Sequence, residues 1–125
     1  MKSYFALGLA MLAGAAFGAL AVNSLHAQAT PRAYAIIEIN EFTNPDLYKT
    51  LLPKAPAAMQ AFGGQFLVRT EKITPLDGVP PKRFVVVAFD SLDKAKAWSA
   101  SAAQKEVDAI RQQSTKSTTF LVEGM

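Results

Sequence analysis

Four segments of the chain alternate apolar and polar residues, or are apolar almost throughout, in the manner of β-strands. They are residues 34–42, 65–71, 83–90 and 118–123. In the first, Ala35, Ile37 and Ile39 form one apolar row, while the opposite row becomes polar along its length. The third is nearly all apolar, which is typical of a central strand covered on both faces. The pattern therefore predicts a β-sheet.

Two further segments place apolar residues at spacings of three and four, which predicts amphipathic helices. The first begins at Asn44-Pro45, a capping side chain followed by proline, and ends at a pair of glycines. Pro53 and Pro56 interrupt it, so we expect a kink or two short helices. The second runs from Ser91 to Gln113. Its small-residue stretch at 99–103 predicts a break there.

The order strand, helix, strand, strand, helix, strand predicts an α+β domain of the ferredoxin-like βαββαβ type. Right-handed crossovers would build a four-stranded antiparallel sheet with both helices on one face. The other face would carry Ile36, Leu67, Phe84 and Val86 or their alternating neighbours. Because so large an apolar face seeks cover, we expect a homodimer with two sheets stacked around a lumen.

The N-terminus has the pattern of a signal peptide. Lys2 is followed by a long uncharged stretch rich in Ala, Leu and Gly, and Ala27-Gln28-Ala29 provides small residues for a signal peptidase. The predicted organisation is a signal peptide over residues 1–29, a tether over 30–33 and a domain of unknown function over 34–125.

Cleavage after Ala29 would release a periplasmic or secreted protein with no stable membrane association. The general secretory route is expected, since no twin-arginine motif precedes the apolar stretch. The alternative is an uncleaved anchor, because the apolar stretch is almost long enough to cross a bilayer core.

Composition excludes several kinds of chemistry. The chain has no cysteine, and its single histidine, His26, lies in the leader. Disulfides, Cys/His zinc sites and nucleophiles activated by histidine are therefore excluded from the exported part. Without Lys2, the 13 basic residues fall to 12 against 10 acidic ones, too even a balance for nucleic acid. Neither Asp77 nor Asp90 has calcium-site spacing, so we expect no metal or cofactor.

Three residues are candidates for ligand binding in the lumen. Arg69 lies in mid-strand, where its guanidinium would hold a carboxylate, unless it pairs with Glu38 or Glu71. Glu38 is a weak candidate for a catalytic base, and otherwise an ion-pair partner. Tyr48 would donate from its hydroxyl into a pocket, or pack its helix on the sheet.

We expect structural roles for two other residues, both in the second helical segment. Trp98 is expected in the core. Arg111 is expected on the polar side of its helix, where it would meet Asp108 or a C-terminal carbonyl.

Three features of the sequence match a known family. They are the run Ala61-Phe-Gly-Gly-Gln-Phe-Leu-Val-Arg69, the run Arg83-Phe-Val-Val-Val-Ala-Phe-Asp-Ser91, and Trp98 followed by Arg111. In these features the chain resembles the domain-of-unknown-function 1330 family over residues 34–124. The resemblance implies the dimeric α/β-barrel form of the ferredoxin-like fold. It implies no activity, because the family has none that is settled.

The chain departs from the family where Trp98 is usually followed by two tyrosines and a proline. Here Ser99 and Gln104 stand at the tyrosine positions. We expect a pocket that is smaller or of different polarity.

Three functions stay open. The first is a non-catalytic protein that binds a small acidic or aromatic molecule. The second is a cofactor-free isomerase or monooxygenase, by analogy with distant barrels of this shape. The third is a structural interaction module.

Overall fold

A computed structural model describes residues 30–125. The predicted signal peptide, its cleavage site after Ala29 and His26 all lie outside the described residues. The strands are β1 (Ala33–Phe42), β2 (Gln65–Thr70), β3 (Arg83–Phe89) and β4 (Thr115–Glu123). The helices are α1 (Pro45–Lys49), α2 (Lys54–Gln60), α3 (Leu92–Ala100) and α4 (Ala102–Ser114). Within this part of the chain, no helix is long and apolar enough to cross a membrane.

The four strands form one antiparallel sheet in the order β2-β3-β1-β4. The two central strands are β1 and β3, whose registers pair Ile36 with Val86 and Ile37 with Val85. Within each half the helical segment connects the two strands: α1 and α2 join β1 to β2, and α3 and α4 join β3 to β4. This is the predicted α+β ferredoxin-like fold, and the prediction is confirmed.

Both predicted helical segments are broken, as the sequence indicated. The first divides into α1 and α2 around Pro53, which stands at the N-terminal cap of α2. Asn44 caps α1 by accepting a hydrogen bond from the Leu47 N–H at 3.1 Å, and Pro45 follows at the first helical position. The second segment divides into α3 and α4 at Ser101, whose backbone is extended.

The core lies between the helices and one face of the sheet. Phe89 is fully buried and packs on Trp98, with ring centroids 5.1 Å apart. A second cluster joins Ile39 to Tyr48 and Leu51. Gly64 gives β2 a close approach to this core, since a side chain there would overlap Met59.

A β-bulge changes the expected faces of β2. Phe66 pairs with Val87, but Val68 pairs with Val86, so β2 has one residue more than β3 over this interval. Strict alternation assigns Arg69 to the open face of the sheet. The extra residue instead turns Arg69 to the helix side, opposite Val85. The expectation that Arg69 faces a lumen between two sheets was therefore wrong in this respect.

The face of the sheet away from the helices is apolar at its centre and partly open. Ile36 is flanked by Val86 on one side and Phe120 on the other. Phe120 is 41% exposed and Val122 40% exposed, which is high for large apolar side chains in a sheet. The apolar surface predicted from the strand pattern is thus present in the described chain.

Candidate functional site

A small cavity lies between the helices and the covered face of the sheet, with a volume of about 60 Å³. Its walls are mostly aliphatic, from Ile37, Ile39, Val85, Leu51, Met59 and Val107. Alternate residues of β1 and β3 supply the floor, because side chains at every second position point to the same face. The helices supply the roof.

Six side chains with polar groups also line this cavity. They are Tyr48, Arg69, Arg83, Trp98, Gln104 and Arg111. No aspartate, glutamate or histidine is among the described lining residues. These side chains bring hydrogen-bond donors and three positive charges to the edges of a cavity whose exposed wall is almost entirely apolar.

Arg111 projects inward from α4 and is only 7% exposed. Its Nη1 donates to Asp108 Oδ1 at 2.8 Å, which confirms the predicted pairing. Gln104 Nε2 donates to the same oxygen at 2.9 Å, so the two donors share one carboxylate. The expectation that Arg111 lies on the polar side of its helix was wrong, since the helix turns that side towards the cavity.

Arg83 is the first residue of β3 and shares the helix-side row with Val85 and Val87. Its Nη1 lies 3.5 Å from Glu71 Oε2, a loose contact with a carboxylate whose side chain is 65% exposed. This arginine is not among the candidates that the sequence indicated. The signal was present, because counting back two residues from Val85 assigns Arg83 to the covered face.

Tyr48 is 8% exposed and packs edge-on against Phe42, with centroids 4.9 Å apart. Burial raises the pKa of its hydroxyl, and the positive charges of Arg83 and Arg111 oppose that rise. The hydroxyl therefore stays protonated near neutral pH. Tyr48 thus packs its helix against the sheet and lines the cavity.

Three buried side-chain nitrogens in the described part of the chain have no hydrogen-bond partner. They are Arg83 Nε, Trp98 Nε1 and Arg111 Nε. All three belong to side chains that line the cavity, and all three are donors. Trp98 is in the core as predicted, at 4% exposure, but its indole N–H was not foreseen as a functional group.

Arg69 lies over the ring of Phe66, with its guanidinium carbon 4.4 Å from the ring centroid. Of the described acidic residues, neither Glu38 nor Glu71 forms an ion pair with it, and Glu71 instead contacts Arg83. The side chain is exposed, so it lines the cavity at its solvent end.

Glu38 lies on the opposite face of the sheet. It stands between Ile37 and Ile39, which both line the cavity, so its own side chain points away from them. Its neighbours across the strands are Phe84 and Thr118. The structure thus brings Arg69 and Tyr48 to one cavity and separates both from Glu38.

The described residues contain no group of three or more His, Asp or Glu side chains placed to hold a metal ion. The polar groups of the cavity are the guanidinium groups of the arginines, the indole N–H of Trp98, the hydroxyl of Tyr48 and the side-chain amide of Gln104. These groups are suited to hydrogen bonding with an organic molecule or an anion.

The fold and cavity define a ferredoxin-like α+β protein with an arginine-lined site beneath its helices. The chain belongs to the family described as Domain of unknown function (DUF1330), whose model matches residues 32–125. This confirms the resemblance found in the sequence. A comparison with curated proteins found no match.

Solved structures of the same fold have very different sequences. A protein of unknown function from Rhodopseudomonas palustris is 9% identical, covering 81% of this chain and 90% of its own, with a TM-score of 0.64. SnoaB, a cofactor-independent oxygenase from Streptomyces nogalater, is 12% identical, covering 77% of this chain and 95% of its own, with a TM-score of 0.54. At these identities the likeness extends to the fold alone.

Proposed function

We propose that this chain is an exported, homodimeric protein that binds a small acidic or aromatic molecule in the cavity beneath its helices. The observation that carries the proposal is the set of unpaired donors, of which Trp98 Nε1 and Arg111 Nε are the most deeply buried. A buried polar group without a partner costs about 1–3 kcal/mol. A ligand that brings acceptors would remove that cost.

The surroundings of these donors also favour a ligand. Aliphatic walls would bury an apolar body, while the polar groups would orient it, which is the usual division of labour in small-molecule sites. Arg69 at the solvent end is placed to attract an acidic group.

Filling the cavity tests this proposal. Ala55 is half-buried and lines the cavity, whereas Ala57 on the same helix is exposed and does not. We expect Ala55→Leu to abolish stabilisation by ligands and Ala57→Leu to retain it. The readout is the shift in Tm with a panel of small acids, amides and phenols, together with native mass spectrometry of the purified protein.

The proposal fails if no compound of any class raises the Tm and the purified protein carries no ligand. It also fails if Ala55→Leu responds to ligands as the unchanged chain does. In that case the structural interaction module is the better description of the domain.

Enzymatic function has less support. A catalytic role for Glu38 as base would require a substrate on the open face of the sheet, away from Arg69 and Tyr48. The described lining residues of the cavity include no carboxylate or histidine that could abstract a proton. Turnover abolished by Glu38→Gln, with ligand binding retained, would instead favour a cofactor-free isomerase or monooxygenase.

The homodimer is proposed from the open face of the sheet. Its partly exposed apolar side chains, Val68, Phe120 and Val122, would be covered by the same face of a second copy. The lumen between the two sheets would then contain Glu38 from each chain.

Export is tested at the N-terminus of the mature protein. When the full chain is expressed in a bacterium, we expect the product outside the cytoplasm to begin at Thr30. A product that keeps residues 1–29 and stays with the membrane fraction would favour the anchor.

A further inference from the structure

We infer that the ligand is a short aliphatic monocarboxylate, with its carboxylate held by Arg111, Arg83 and Trp98. This inference rests on the proposed function, since it specifies the molecule that occupies the same cavity. Three independent properties of the site lead to it: the kind of hydrogen-bonding group left unpaired, the balance of charge, and the volume.

The unpaired groups are all of one kind. Every buried side-chain polar atom that lacks a partner in residues 30–125 is an N–H donor, and each belongs to a residue that lines this cavity. An occupant that reaches these nitrogens would therefore supply acceptors and need few donors of its own. An ionised carboxylate meets this requirement, because it has two oxygens and only accepts. Amines, alcohols and amides bring donors, and the only acceptors among the described lining side chains are the Tyr48 hydroxyl and the Gln104 amide oxygen.

The charges favour an occupant with one negative charge. Three guanidinium groups line the cavity, and two carboxylates contact them, Asp108 with Arg111 and Glu71 with Arg83. The third guanidinium, that of Arg69, forms no ion pair with any described residue and rests on the ring of Phe66. One positive charge is therefore left over, which a monoanion would neutralise and a dianion would overcompensate.

The volume favours a small aliphatic body over an aromatic one. The cavity holds about 60 Å³. A cavity that binds benzene in another protein is larger, about 150 Å³. An aromatic ring would therefore need the walls to move, whereas a carboxylate with a short carbon chain fits against the aliphatic side chains.

Water is the competing occupant, because ordered waters commonly satisfy buried donors. Water carries no charge and leaves the excess positive charge of the cavity unbalanced. The two occupants therefore differ in a measurable way, since only the anion responds to the arginines as charges.

Intrinsic fluorescence provides a direct test, because Trp98 is the only tryptophan of the chain. The protein purified after expression of the full chain is titrated with propionate, and with propionamide as a neutral molecule of the same shape. We expect propionate to change the fluorescence saturably and raise the Tm, and propionamide to do neither. Benzoate and inorganic phosphate test the limits of size and charge, and both are expected to bind more weakly.

Variants assign the contacts. Arg69→Met removes the surplus charge at an exposed position, and Arg111→Lys keeps the charge while removing the Nε donor. Arg111→Lys is expected to weaken propionate binding about ten- to a hundredfold, since hydrogen bonds to charged groups are of that strength. Arg69→Met removes an attraction that solvent screens, and is expected to weaken binding about two- to fivefold. Arg32→Met is the matched control, because Arg32 is exposed and does not line the cavity.

The outcomes separate this inference from the proposed function. If propionamide, benzoate or phosphate binds as well as propionate and Ala55→Leu blocks that binding, the cavity binds ligands but the inference is overturned. If Arg69→Met and Arg111→Lys both bind propionate unchanged, it is overturned as well. If nothing in either panel binds, water fills the cavity and both proposals fall.

Discussion

The positive charges of the three arginines that line the cavity are compensated in different ways, and the differences follow from how deeply each side chain is buried. Arg111 is held against Asp108 in a mostly buried pair, so each charge depends on the other. The contact of Arg83 with Glu71 is longer and faces solvent, and it is correspondingly weaker. Arg69 uses an aromatic ring in place of a carboxylate. The positive charge available to a ligand therefore increases towards the opening of the cavity.

Tyr48 provides a prediction about pH. Burial raises the pKa of its hydroxyl above 10, more than Arg83 and Arg111 lower it. The unfolded chain therefore ionises first as the pH rises. The stability that neutral Tyr48 contributes is complete below about pH 10 and is lost as the pH rises through the folded pKa. We expect Tyr48→Phe to remove this alkaline loss, measured as the free energy of unfolding in urea at a series of pH values.

Tyr34→Phe is the control for this experiment, because it removes a tyrosine that does not line the cavity. It is expected to keep the alkaline loss. Identical pH profiles for the two variants above about pH 10 would contradict the role assigned to burial at Tyr48.

Gly64 provides a second prediction at the scale of one residue. A methyl group at this position would overlap Met59 and lie 2.8 Å from Phe89 Cε1, both in the buried core. We expect Gly64→Ala to lower the free energy of unfolding through overpacking, by an amount in the upper part of the range of about 1–3 kcal/mol. The measurement is urea unfolding.

Gly78→Ala is the comparison for that variant. Gly78 has a positive φ of 75° and nothing within 4 Å of its missing side chain, so only backbone strain is added there. A loss of about 1 kcal/mol is expected at Gly78. If Gly64→Ala were no more destabilising, the close approach of β2 to the core would be in doubt.

The site residues could be predicted only where a local pattern fixes them. Tyr48 and Trp98 fall on apolar helical stripes, and both lie beneath the helices as that pattern requires. Arg111 carries a charge, and hydropathy assigns charges to the solvent side, so its burial beside Asp108 was missed. That burial depends on a partner from the same helix and on space in the core, neither of which a hydropathy pattern contains.

At the scale of elements, the hydroxyl of Ser101 forms hydrogen bonds with the end of α3 and with the start of α4. Ser101 Oγ donates to the Trp98 carbonyl at 2.7 Å and accepts from the Gln104 N–H at 3.2 Å. It thus ends α3 and begins α4. Both of its partners line the cavity, so the break between the helices also fixes part of the site.

We expect Ser101→Ala to lower the free energy of unfolding by about 1 kcal/mol, the usual value of an N-terminal cap. Ser99→Ala is the control, because Ser99 Oγ donates only to the Lys96 carbonyl within α3. Thermal unfolding compares the two. Equal Tm values for both variants would show that the cap contributes nothing of its own.

The elements themselves were largely foreseen. Cap and turn residues marked the start of α1 and the end of α2, and small residues marked the break between α3 and α4. Alternation or an apolar run marked each of the four strands. The bulge in β2 was not foreseen, because Phe66, Leu67 and Val68 are all apolar and the extra residue among them is defined only by pairing with β3. This single feature reversed the face assigned to Arg69.

At the scale of the whole molecule, the sheet has two unlike faces. One is covered by helices and contains the cavity, while the other presents Ile36, Val86 and Phe120 at its centre. A sheet covered on one side alone leaves apolar area in contact with water. The proposed homodimer removes that contact.

We expect light scattering at micromolar concentration to give twice the mass of one mature chain. Phe120→Lys would place a charge in the centre of the paired faces and should yield monomers. Ala97→Lys, on the exposed side of α3, changes the charge equally and should remain dimeric. A monomeric mass for the unchanged protein would contradict the proposed interface.

The bulge in β2 exchanges the faces of the sheet to which the following side chains, from Val68 onward, point. If β2 paired regularly from Phe66 onward, with no residue bulged out, Arg69 would stand opposite Phe84 and its guanidinium would point to the open face of the sheet. The cavity would lose its unbalanced charge, and the face proposed to pair with a second copy would gain it. A shift in the pairing of β2 alone would thus change the charge of both faces of the sheet, without substituting any residue that lines the cavity.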